Sequence, residues 1–130
     1  MPRKKKKRIV SNGVKRIKAH LIGLKISFKE EFKIADCKNI RPLPFDFALF
    51  SDGVLVGLIE YNGIQHYQKI RRFGGKKAFE RQQKHDLIKM GYCNQHNIPF
   101  LVISYLSENI EELCDEFFAR IFQPFTQSVV

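Results

Sequence analysis

Cysteine is scarce: Cys37, Cys93 and Cys114 are the whole supply, and no two share a CxxC spacing. An odd, scattered set excludes a disulfide framework and a cysteine-based zinc site, and reads as reduced thiols in an intracellular protein. No apolar run approaches the ~18 residues that span a bilayer, so no membrane partner is expected. The charged N-terminus is not followed by an apolar stretch, which excludes a secretory leader. Internal repeats are also lacking, and 130 residues suffice for one domain but not two.

Acidic residues are missing from the first 25 positions, which hold ten Lys and Arg. The remaining 13 basic residues are balanced by 13 acidic ones, so the net charge of +10 resides at the N-terminus. Residues 1–10 are therefore expected to form a basic arm ahead of a domain over 11–130, with Lys4, Lys5, Lys6, Lys7 and Arg8 its densest part. A polyanion would attract such an arm through counterion release, with a steep salt dependence. The run at 2–8 fits a nuclear localisation signal or a solvated tail equally well. The expected location is the cytoplasm, or the nucleus if that run is read as an address.

Hydropathy patterning supplies the elements. Ser11 is a candidate N-cap, and Val14, Ile17, Leu21 and Leu24 recur at helical spacing. Residues 26–34 alternate as a strand, and a loop with Cys37, Asn39 and Pro42 leads into a second strand over 43–50. Ser51-Asp52-Gly53 signals a turn, and 54–61 makes the third strand of a hairpin. Residues 62–75 carry Asn62-Gly63 and Gly74-Gly75 and read as a loop; Lys69, Arg71 and Arg72 sit there beside Tyr67 and Phe73. A helix is expected over about 76–96, its first half almost wholly polar. The apolar run 98–105 reads as a strand buried on both faces. Ile110, Leu113, Cys114, Phe117, Phe118 and Ile121 stripe a last amphipathic helix, with Glu108, Glu111 and Glu112 near its start. The order αβββαβα implies an α/β fold with a central mixed sheet flanked by helices.

Two carboxylates stand inside strands. Asp46 lies between Phe45 and Phe47, and Glu60 follows an apolar run. Such acids cost several kcal/mol unless paired, exposed at an edge or bound to a cation. With a three-residue turn at 51–53, position 58 faces Asp46 and Glu60 is its diagonal neighbour. Two hard oxygen ligands at one sheet edge suit Mg²⁺ or Mn²⁺, which would yield a hydroxide nucleophile. Simple salt bridges to lysines explain the spacing equally well. On the long helix, Gln82, Asp86 and Lys89 share one face, with Lys84 and His85 nearby; a solvated helix face with ion pairs is the plainer account of these.

The stretches RPLPFDFALF (41–50), LIEYNGIQHY (58–67), FGGKKAFERQQKHDLIKMGYC (73–93) and IPFLVISY (98–105) resemble, in this order, a phage- and virus-encoded branch of the PD-(D/E)XK nucleases. That branch is similar to very-short-patch repair and homing endonucleases, and the resemblance spans about residues 11–115. It implies a restriction-endonuclease-like fold and Mg²⁺-dependent hydrolysis of DNA. Asp46 and Glu60 would hold the metal, with the backbone carbonyl of Tyr61 as a further ligand. The class often has a lysine two residues after the Glu; here that place is Asn62. Gln65 and His66, in the branch's GxQHY, are the nearest substitutes, and His66 suits a general acid or base. Asp86 and Lys89 match the branch's DxxK and would orient the site from behind its ligands. Lys69, Arg71, Arg72 and Lys84 join the arm as candidate DNA contacts. The branch usually opens its first helix with SxGE, whereas this chain has Val14 at the Glu position, with Glu31 as a possible compensating acid. The sequence thus points to a metal-dependent DNA endonuclease of homing or repair type. The alternative is a catalytically impaired DNA-binding relative. Double-strand cutting would call for a homodimer or sequential events.

Overall fold

Helix α1 (Asn12–Gly23) starts where Ser11 turns extended and its hydroxyl accepts a hydrogen bond from the amide of Val14. Ile17 and Leu21 are its buried stripe. Three antiparallel strands follow, β1 (Ser27–Lys38), β2 (Pro42–Ser51) and β3 (Val54–Asn62). Two short 3₁₀ turns, Ile64–His66 and Arg71–Phe73, lead into α2 (Gly75–Gln95). The chain ends its described part with β4 (Phe100–Ser104) and α3 (Ile110–Ile121). This computed structural model describes residues 11–122; the basic arm at 1–10 and the last eight residues lie outside them.

The result is a small α/β domain with a four-stranded mixed sheet in the order β1-β2-β3-β4, the last pair parallel. The expected succession of elements is observed. Two details differ. Strand β1 runs on to Lys38, taking in Cys37, which the sequence pattern places in a loop. Strand β4 is shorter than the apolar run around it and lies at the sheet's edge, with Val102 exposed, so it is not covered on both faces.

Two cores sandwich the sheet. One joins α1 and α3 to Phe47, Leu49, Ile59 and Ile103. The other packs α2, through Cys93 and Ile88, over Phe45, Ala48 and Leu58. Phe45 and Phe47 are two residues apart yet fall in different cores, although strand side chains that far apart ordinarily share a face. Their neighbours on β1 do the same: Phe28 packs on the first core and Phe32 on the second. The β1–β2 ribbon therefore turns over between the pairs Glu30↔Phe47 and Phe32↔Phe45. At that step Glu31 has φ 48, a left-handed value uncommon outside glycine. Asp46 occupies the same step on β2.

The β2–β3 register corrects the sequence reading by two residues. The turn holds only Asp52 and Gly53, with φ 50 and 77, as a two-residue primed turn requires, and pairs Ser51 with Val54. A bulge at Val56 adds one more residue on β3, between Phe50↔Leu55 and Leu49↔Gly57. Continued one step past Phe47↔Ile59, this register sets Asp46 opposite Glu60, not position 58.

Candidate active site

Glu60 is 6% exposed in the α2-side half of the sheet, where β3 is sealed by the long helix. Its Oε1 accepts a hydrogen bond from Lys89 Nζ at 3.0 Å, and Lys89 itself is 5% exposed. The ammonium also lies 5.4 Å from the centre of the Phe45 ring, whose face favours a cation. Glu60 Oε2 is buried without a hydrogen-bond partner. Loss of water pushes the Glu60 carboxyl up to about 7; the negative charge of Asp46 adds to this, while Lys89 and, more weakly, the backbone amide of Asp46 oppose it.

Asp46 is half-buried, and its Oδ2 accepts the backbone N–H of Tyr61 at 2.7 Å. The carboxylate thus takes a main-chain donor of β3 and is held in the plane of the sheet beside Glu60. The Tyr61 ring turns to the other core, against Gly13, where an added Cβ would come within 2.3 Å of ring carbons. Only glycine fits there. Val14 packs on that same apolar core, consistent with its place in the α1 stripe.

One turn of α2 carries a second polar group. His66 Nδ1 donates to the Asp86 carboxylate, 3.0 Å from Oδ2 and 3.2 Å from Oδ1. Gln82 Nε2 donates to Asp86 Oδ1 at 3.1 Å, so the amide fixes the acid and the acid fixes the ring. With the proton on Nδ1, Nε2 of the neutral ring is its acceptor. Asp86 and Lys89, three residues apart, tie the 3₁₀ turn and β3 to one helix face.

Of the residues expected at a site, Asp46, Glu60 and Lys89 converge, and His66 of the first 3₁₀ turn pairs with Asp86 of α2. Lys89 does not act from behind: it touches Glu60 directly. For Glu60, the salt-bridge alternative is therefore present. Gln65 makes no contact with the acids; its amide lies over Gly63 and lines a cavity against α2. Glu31 follows the register to a place beside Asp46 but is exposed. Asn62 is buried in place of a lysine, with Oδ1 lacking a partner. Lys69, Arg71, Arg72 and Lys84 are all exposed. Sequence reading missed the Lys89–Glu60 contact, although Lys89 shares its helix face with Cys93, which marks that face as inward.

Among the described residues, no group of three or more His, Cys, Asp or Glu side chains is arranged to hold a metal. Mg²⁺ needs fewer, since it commonly uses one or two carboxylates and fills its shell with water and phosphate oxygens. The partnerless Glu60 Oε2 beside Asp46 fits that donor set.

A 53-residue stretch is 40% identical to uncharacterized protein 307L of Invertebrate iridescent virus 6, covering 40% of this chain and 27% of the viral protein. The chain thus matches little more than a quarter of that relative's length. No protein-family model matches the chain, and no solved structure matches it.

Proposed function

We propose that this chain is a metal-dependent DNA endonuclease with a restriction-endonuclease-like fold. The observation that carries this reading is the buried Glu60 with one oxygen on Lys89 and the other unpartnered, set beside Asp46. A charge pair buried for stability alone would have its second oxygen satisfied, because an orphaned acceptor costs ~1–3 kcal/mol.

Asp46 and Glu60 would hold Mg²⁺ or Mn²⁺, with the Tyr61 carbonyl as a further donor. When bound, the ion activates water and offsets charge on phosphate oxygens. Lys89 fixes the Glu60 carboxylate and places a positive charge next to it, the task that Asn62 cannot perform. Asp86 holds the His66 ring so that Nε2 is free to take or give a proton near a phosphate. Exposed Lys69, Arg71, Arg72 and Lys84 supply sequence-independent phosphate contacts.

A second reading, a DNA-binding relative that does not cut, is favoured by Val14 in the apolar core and by the Lys89 ion pair. Purified protein incubated with supercoiled plasmid decides between them. Nicking with Mg²⁺ or Mn²⁺ that stops in EDTA is expected; plasmid bound but intact in both ions establishes the second reading.

A further inference from the structure

Between the two 3₁₀ turns and the first half of α2 lies a cavity of about 270 Å³. Ile70, Phe73 and Phe79 give it apolar walls, whereas Gln65, Gln68 and Arg81 bring polar groups. Pockets for drug-sized ligands run ~300–1,000 Å³, so this one takes a single flat ring system.

Its polar groups are those that read a heterocycle's edge. Among the described residues, the side chains of Gln65, Gln68 and Arg81 make no hydrogen bond or ion pair with protein groups. Each amide offers both donors and an acceptor, and the guanidinium offers donors only. Gln82 also lines the cavity, but its amide nitrogen is committed to Asp86, which leaves Oε1 as a fixed acceptor. His85, beside it, meets Asn39 Nδ2 at 3.3 Å through Nε2. Burial, then the charges of Lys89 and Arg81, lowers that ring's pKa from its ordinary value. A neutral ring accepting at Nε2 donates from Nδ1. No carboxylate lines the cavity. Gln82 connects it directly to Asp86 and His66.

We propose that this cavity binds one unpaired nucleobase of a DNA strand, next to the phosphate held at the Asp46–Glu60 site. The proposal rests on the DNA reading above and specifies its substrate. Flat apolar walls stack on the base, and the amides and Arg81 pair with its edge. Extracting a base from a matched duplex costs unstacking and unpairing, which a base already unpaired does not. DNA with a bulged or otherwise extrahelical base is therefore the preferred substrate.

The test measures binding of the full chain, in EDTA, to a fully paired duplex and to the same duplex with one bulged 2-aminopurine. About tenfold tighter binding of the bulged duplex is expected, with a change in 2-aminopurine fluorescence on binding. In Gln68→Leu and in Gln68→Ala the affinity for bulged DNA should fall toward that for paired DNA. Equal binding of both duplexes by the unaltered chain overturns the pocket and leaves the DNA reading standing. No binding to either overturns both. A preference that survives both Gln68 variants places recognition elsewhere and overturns the proposal.

Discussion

The two faces of the sheet are built to different rules. On the α1/α3 face the buried residues are apolar, with Ile17, Leu21, Phe47, Leu49, Ile59 and Ile103 wholly out of contact with water. Charge is kept to the surface there, where Arg16 pairs with Glu111 and His20 with Asp115. On the α2 face, the core of Phe45, Ala48 and Leu58 adjoins buried Glu60 and Lys89. Taking two charges out of water costs several kcal/mol per ion, and their attraction only partly offsets it. One face is built from apolar contacts alone, and the other carries a buried charge pair at a cost in stability.

The sharpest break of this contrast is Asp46→Asn. It should lower plasmid cutting by about 10³ or more, the several kcal/mol that one hard ligand to a catalytic cation is worth, while melting temperature in EDTA changes little. A parallel fall in both would make Asp46 structural.

Phe117→Ala on the other face should do the reverse. Phe117 is 1% exposed and its ring packs close to Gly57, where an added Cβ would be 3.0 Å from it. The expected loss is about 3–5 kcal/mol in denaturant unfolding, with cutting per folded molecule unchanged.

A third test uses pH. Folded Glu60 keeps its proton to about 7, against an ordinary 4.5. Between those values the folded state binds more protons than the unfolded one, so stability falls as pH rises. This contribution is complete below about 4.5 and gone above about 7. In EDTA, melting temperature should therefore decline across that window, and Glu60→Gln should flatten the decline. An identical profile in both proteins would show that Lys89 keeps Glu60 ionised throughout.

The smallest effect belongs to Arg16→Ala. Both partners of that pair are about 40% exposed and screened by solvent, so the denaturant midpoint should barely move. A larger loss would mean that the apolar face, too, depends on charge.

Much of this contrast is visible in the sequence. Periodicity finds α1, α3 and the hairpin because each has one continuous apolar face. It also marks Asp46 and Glu60, since acids in apolar strands stand out. What it misses depends on geometry that composition does not encode. Turn and bulge together move the residue facing Asp46 from 58 to 60. The strand reading stops at 34, short of Cys37 and Lys38, because the pairing with β2 shifts between Lys33 and Lys38 and the alternation is lost there. Strand β4 is apolar enough for a central strand, yet only one neighbour pairs with it. Lys89 resembles the other lysines of a polar helix until Cys93, one turn on, shows which way the face points.

The bulge at Val56 makes strand register, as much as residue identity, a determinant of which side chains meet across this sheet. Paired without the bulge at the same chain length, Asp46 would stand opposite Ile59 and the Glu60 side chain would turn to the apolar face. Every acid would still be present, and a composition-based reading would notice nothing. A one-residue slip that closed the bulge with β3 at its present length would part Asp46 from Glu60 as completely as loss of either carboxylate, whereas deletion of Val56 itself would keep the two opposite each other. Changes in the length of the exposed 3₁₀ loop would leave that alignment intact.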